Sequence, residues 1–177
     1  MAQSALQKIR VAQVRAYPKK GDLAINSRRL LEILDGIALQ HPDVVVTPEC
    51  FLDGYVVTRP EVNRRNLKRY AIDPESSEIA RAVSAWARKN RVWVILGCTR
   101  VTEGGCANSA LVYNRRGRLV GTYDKTHCRG HDRKFVVGSS LPVFKADFGQ
   151  FGIVICADRR WPETIRPLAR GGAEVSV

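Results

Sequence analysis

Residues 43–50, DVVVTPEC, decide the reading of the fold. Three consecutive valines form an uninterrupted β-branched run, the kind buried on both faces of a sheet that is covered by helices. The run stops at Pro48, which cannot donate to a strand ladder, so Glu49 sits at the C-terminal edge of a strand. A carboxylate in that place is costly unless it is paired or put to use.

Upstream, IRVAQVRAY (9–17) predicts a strand from Lys8 to Tyr17, ended by Pro18 and Gly21. Leu23, Leu30, Leu31, Leu34, Ile37 and Ala38 then recur at helical spacing. Downstream, residues 54–71 are polar and irregular. Asp73 is placed to cap a helix with Pro74 at its first position, carrying Ile79, Val83, Trp86 and Ala87 inward. RVWVILGCT (91–99) reads as the next strand.

Residues 110–113 and 119–123 flank Asn114, Arg115, Arg116 and Gly117 as the two strands of a hairpin, and Lys125 follows directly. Residues 126–140 read as a loop. LPVFKAD (141–147) and FGIVIC (151–156) read as strands around Gly149, and a helix starts at Pro162 and ends at Gly171 and Gly172. This mixture predicts one α/β layered domain over residues 1–177 without internal repeats. The final AEVSV opens a further strand with nothing after it, so the domain is expected to be incomplete at its C-terminus.

The 29 Lys and Arg residues outnumber the 17 Asp and Glu residues, for a formal net charge of +12. They are scattered: Arg59, Arg64, Arg65, Lys68 and Arg69 in one segment, Arg115, Arg116 and Arg118 in a turn, Arg129, Arg133 and Lys134 in a loop. No recognition helix or stacking aromatic motif accompanies them, which favours a solvated surface. A basic nucleic-acid-binding domain is a remote rival, and it predicts steeply salt-dependent retention on a polyanion.

The opening MAQSALQKIR lacks the apolar run of a leader, and no stretch approaches the roughly 18 apolar residues of a membrane span. The five cysteines form no C-x-x-C pair or zinc-like spacing. A soluble cytoplasmic protein with reduced thiols is expected, with no nucleic-acid or membrane partner.

Cys156 ends the apolar run FGIVI just before the helix start, so its thiol is expected to project from a strand-to-helix turn. Backbone N–H groups there can meet a developing oxyanion. The residue types leave alternatives open. Cys156 reads as nucleophile or as a buried structural cysteine. Glu49 reads as a carboxylate put to use or as a buried ion-pair partner, and Lys125 as its cation, as an oxyanion donor or as a surface lysine. His127 and His131 permit a Cys/His dyad, but no protease motif surrounds Cys156.

The joint wording of VVVTPECFLDGY (44–55), GTYDKTHC (121–128) and GIVICADRRWPE (152–163) resembles the nitrilase, or carbon-nitrogen hydrolase, superfamily. It is nearest to the N-carbamoyl-amino-acid amidohydrolase and amidase branches. The resemblance implies an α-β-β-α sandwich that continues past residue 177 in family members, homo-oligomers, and no metal or organic cofactor. It implies Glu49 as general base, Cys156 as nucleophile, and Lys125 with the backbone of Ala157 as oxyanion donors. The substrate is then a small linear amide, N-carbamoyl compound or nitrile, cleaved through a thioester.

Arg159 and Arg160 are candidate anchors for a substrate carboxylate, or structural partners of Asp158, Glu163 or Glu174. Tyr55 and Trp161 are candidate pocket walls, while Cys50 and Cys128 are expected to be inert. One departure lies in HDRKFVVG (131–138), where relatives place a second glutamate and this chain has His131 or Asp132. A truncated fragment that keeps the motif but does not turn over is the leading rival to an active hydrolase.

Overall fold

The computed structural model describes residues 8–177; the part of the leader reading that falls on residues 1–7 lies outside them. The chain forms β1 (Val11–Gln13), α1 (Leu23–Ala38), β2 (Val44–Val46), α2 (Glu78–Asn90), β3 (Trp93–Thr102), β4 (Gly105–Tyr113) and β5 (Leu119–Asp124). It continues through β6 (Val143–Ala146), β7 (Gly149–Gly152), α3 (Pro162–Arg170) and β8 (Val175–Ser176). No helix among the described residues is long and apolar enough to cross a membrane.

The first five strands lie side by side in chain order, β1-β2-β3 parallel and β3-β4-β5 antiparallel. Helices α1 and α2 are the crossovers of the parallel part, and a fixed crossover hand with one direction of strand addition puts both on one face. That face buries Leu30, Leu34, Val83 and Trp86 of the helices against Val45, Val94, Leu96 and Leu111.

The alternate residues of the same strands, Val44, Trp93, Ile95, Ala110, Val112 and Tyr123, turn the other way. They pack on Phe144, Phe151, Ile153 and Ile155 from the second sheet, whose strand order is β6-β7-β8. Trp93 meets Phe151 edge-on at 6.1 Å between ring centroids and donates its indole N–H to Asp147 Oδ1 at 2.7 Å. Helix α3 covers the outer side of this sheet, its buried Leu168 lying where a side chain on Gly152 would be. The α-β-β-α layering expected from the resemblance is therefore present.

Several boundaries depart from the sequence expectation. Strand β1 covers only Val11–Gln13, because its partner β2 offers three residues before Pro48 ends the ladder. Asp73 does not cap α2: its carboxylate accepts from Glu75 N and Ser76 Oγ in a local turn, and the helix begins at Glu78 after Ser77. Strand β4 starts at Gly105, so β3 and β4 form a long hairpin turned at Glu103 and Gly104. Strand β7 ends at Gly152, short of the expected Cys156, although Val154 N still bonds to Val177 O at 2.9 Å. The segments read as loops contain 3-10 turns at Val56–Thr58, Leu67–Tyr70 and Gly130–Lys134.

Candidate active site

The inter-sheet apolar layer ends in polar residues. Asn108 lies two residues before Ala110 on β4, Lys125 two residues after Tyr123, and Cys156 one residue after Ile155. The strand periodicity that buries Ala110 and Tyr123 between the sheets thus aims Asn108 and Lys125 at the same layer. Glu49 joins them from the turn after β2, which lies close against β3: Gly97 N donates to Thr47 Oγ1 at 2.8 Å. A Cβ on Gly97 would stand 2.1 Å from Pro48 O, so only glycine lets this turn approach.

Lys125 is 1% exposed, which excludes the surface-lysine reading. Its Nζ donates to Glu49 Oε1 at 2.7 Å and to Asp132 Oδ2. Burial pushes the ammonium towards neutrality, but the hydrogen bonds and charges of Asp132 and Glu49 outweigh it and hold the pKa above the usual lysine range. Tyr55 donates its phenol to Asp132 Oδ1 at 2.7 Å; burial and that contact raise its pKa.

The 3-10 turn at Gly130–Lys134 turns Asp132 inward, onto Lys125, and leaves His131 exposed. Asn108, which the sequence reading did not single out, is fully buried and donates its Nδ2 to Glu49 Oε1 at 2.6 Å. Its signal in the sequence is a polar residue in phase with Ala110 and Val112.

Cys156 opens a 3-10 turn over Cys156–Arg160 with a backbone φ of 48°, in the left-handed region that disfavours side chains. It is the exposed member of the five cysteines. Burial raises the thiol pKa values of Cys50, Cys98 and Cys106, and pushes Cys128 up to about 11 with help from the Asp132 charge.

The turn is fastened by Asp158, fully buried, which accepts from Ile155 N at 2.9 Å, Tyr123 OH at 2.7 Å and His127 N at 2.9 Å. It therefore ties the Cys156 turn to the segment that carries Lys125. Ala157 follows in this turn, half-buried, while Arg159 and Arg160 are exposed. The alternative reading of these arginines as structural partners of Asp158, Glu163 or Glu174 is not met: neither makes an ion pair among the described residues. Trp161 is half-buried, with His127 stacked on it at 5.1 Å and the Arg129 guanidinium 5.0 Å from its ring centroid.

A basic patch lies elsewhere, around a crevice of about 810 Å³ lined by Arg88, Arg91, Arg115, Arg116 and Arg118. Arg115 there is occupied by Asp43 and Asp147, both at 2.7 Å.

The carbon-nitrogen hydrolase sequence model matches residues 8–177, and the chain belongs to that family. Among curated relatives, a probable nitrilase of Schizosaccharomyces pombe is 28% identical over 176 residues, covering 96% of this chain and 62% of the relative. A nitrilase of Pyrococcus abyssi is 31% identical over 170 residues, covering 94% of this chain and 63% of the relative. The chain thus spans less than two thirds of these relatives. Among solved structures, an amidase from Nesterenkonia sp. AN1 superposes with a TM-score of 0.79 at 20% identity, covering 96% of this chain and 65% of the amidase. In that structure acrylamide has undergone Michael addition at the active-site cysteine.

Proposed function

We propose that this protein hydrolyses a carbon–nitrogen bond of a small linear amide or N-carbamoyl compound through a thioester on Cys156. The observation that carries the reading is the Lys125–Glu49 pair, 2.7 Å apart, at the end of the layer whose other wall leads into Cys156. Glu49 takes the thiol proton, Cys156 Sγ attacks the carbonyl carbon, and ammonia or an amine leaves with that proton. Water activated by Glu49 then adds to the thioester, releasing the acid and restoring the thiol. The chemistry calls for no metal or organic cofactor.

Lys125, kept charged by its two carboxylates, and the backbone N–H of Ala157 hold the oxyanion, each donor contributing about 3 kcal/mol. Asp132 and Tyr55 act behind Lys125 and fix its ammonium, so Tyr55 serves as a support more than as a pocket wall. Arg159 and Arg160, exposed beside the thiol, receive a substrate carboxylate, and Trp161 walls the entrance. Cytoplasmic location and homo-oligomers go with this reading.

The test is ammonia release by the full chain and by Cys156→Ala from a panel of amides, N-carbamoyl amino acids and nitriles. Release that disappears in the variant supports the proposal and identifies the substrate class. No release from folded protein favours the rival, a chain that keeps the site residues without turnover.

A further inference from the structure

Glu49 has two hydrogen-bond donors, Lys125 Nζ and Asn108 Nδ2, and both converge on the same oxygen, Oε1. Its Oε2 receives no hydrogen bond among the described residues, and the side chain is 23% exposed. Asn108 is fully buried in the middle of β4, opposite Thr99 of β3, and its carbonyl oxygen accepts from Lys125 N at 2.9 Å. One residue thus holds Lys125 by its backbone and Glu49 by its side chain.

The amide of Asn108 is not comfortable on its own account. Its Oδ1 is buried without a hydrogen-bond partner. Reversing the amide would set Oδ1 against the Glu49 oxygen, so the observed orientation gives up satisfaction of one atom to keep a donor on Glu49. A residue present only to fill space would not need that compromise, since an apolar side chain fills it without an orphan atom.

We infer that Asn108 is a positioning residue: it commits Oε1 of Glu49 as an acceptor and thereby leaves Oε2 free as the basic oxygen for the thiol and, later, for water. The inference rests on Glu49 being the general base. Two donors on one oxygen select one orientation of the carboxylate, where Lys125 alone, whose ammonium is a point charge, would donate equally well to either oxygen.

The experiment measures alkylation of Cys156 by iodoacetamide at neutral pH, located by peptide mass mapping, in the wild type, Glu49→Gln, Asn108→Ser and Asn108→Asp. The near-isosteric Asn108→Asp preserves volume should the smaller side chain impair folding, and circular dichroism confirms the native state of each variant. The expected result is alkylation slowed by about tenfold or more in both Asn108 variants, as in Glu49→Gln. On any amide the wild type hydrolyses, kcat falls and KM stays within about twofold. Slow alkylation in Glu49→Gln with wild-type rates in both folded Asn108 variants overturns the inference while keeping Glu49 as the base. A wild-type rate in Glu49→Gln removes the base reading and this inference with it.

Discussion

Tyr123 donates its phenol to Asp158 at 2.7 Å, joining the strand that leads to Lys125 with the turn that begins at Cys156. The bond is buried, and Asp158 accepts two backbone N–H groups beside it, from Ile155 and His127. Asp158→Ala leaves those buried donors unsatisfied, at a cost of about 1–3 kcal/mol each. Urea denaturation is expected to show a loss of at least about 3 kcal/mol, and the folded variant to hydrolyse substrate at least about tenfold more slowly. Full activity would mean that Asp158 does not set the position of the thiol.

Asp132→Ala removes one of the two carboxylates that keep the buried Lys125 charged. Breaking a buried ion pair typically costs about 3–5 kcal/mol, and the remaining Glu49 contact compensates only in part. Chemical denaturation of the variant should register a loss of that order, and restoring a carboxylate with Asp132→Glu should recover part of it.

Gly97→Ala should reach the site without touching it chemically. The new methyl group would stand 2.1 Å from Pro48 O, so the turn carrying Glu49 must move away from β3. Overpacking of this kind costs about 1–3 kcal/mol. The expected outcome is a lowered melting temperature together with lost ammonia release, whereas Gly36→Ala, with open space around its Cα, keeps both.

Asp53 gives a pH signature. Burial raises its carboxyl pKa to about 6, against opposing hydrogen bonds from Val56 N and from the hydroxyl and N–H of Thr99. With a folded value above the unfolded 3.8, its contribution to stability is full below that pH and is lost as pH rises through about 6. The stability of the wild type relative to Asp53→Asn should therefore fall between pH 4 and 6, by up to about 3 kcal/mol. Urea titrations of both proteins across that range measure it, and a flat difference would refute the assignment.

The sequence made the layering legible because its signals do not depend on partners. VVVTPEC reads as a strand whichever sheet receives it, and the spacing of Leu30, Leu34, Val83 and Trp86 reads as helix faces. The positions of Glu49 and Lys125 followed from strand ends. What stayed hidden depends on side-chain direction. The same Asp73 carboxylate can cap a helix or close a local turn, and it does the second. Asp158 sits beside Arg159 and Arg160 in sequence but turns inward to Tyr123, away from them. Asn108 resembled an ordinary polar residue ahead of a short hairpin, because the extension of β4 back to Gly105 was not visible in its composition.

The left-handed backbone at Cys156, with its φ of 48°, bears on how such a chain changes over generations. An L-residue there costs roughly 1 kcal/mol, a strain that glycine relieves. On stability alone, glycine is therefore the favoured residue at this position. On the proposed reading of Cys156 as the nucleophile, a descendant that abandons the chemistry gains stability by taking glycine at this one place, before any change in the layers beneath it.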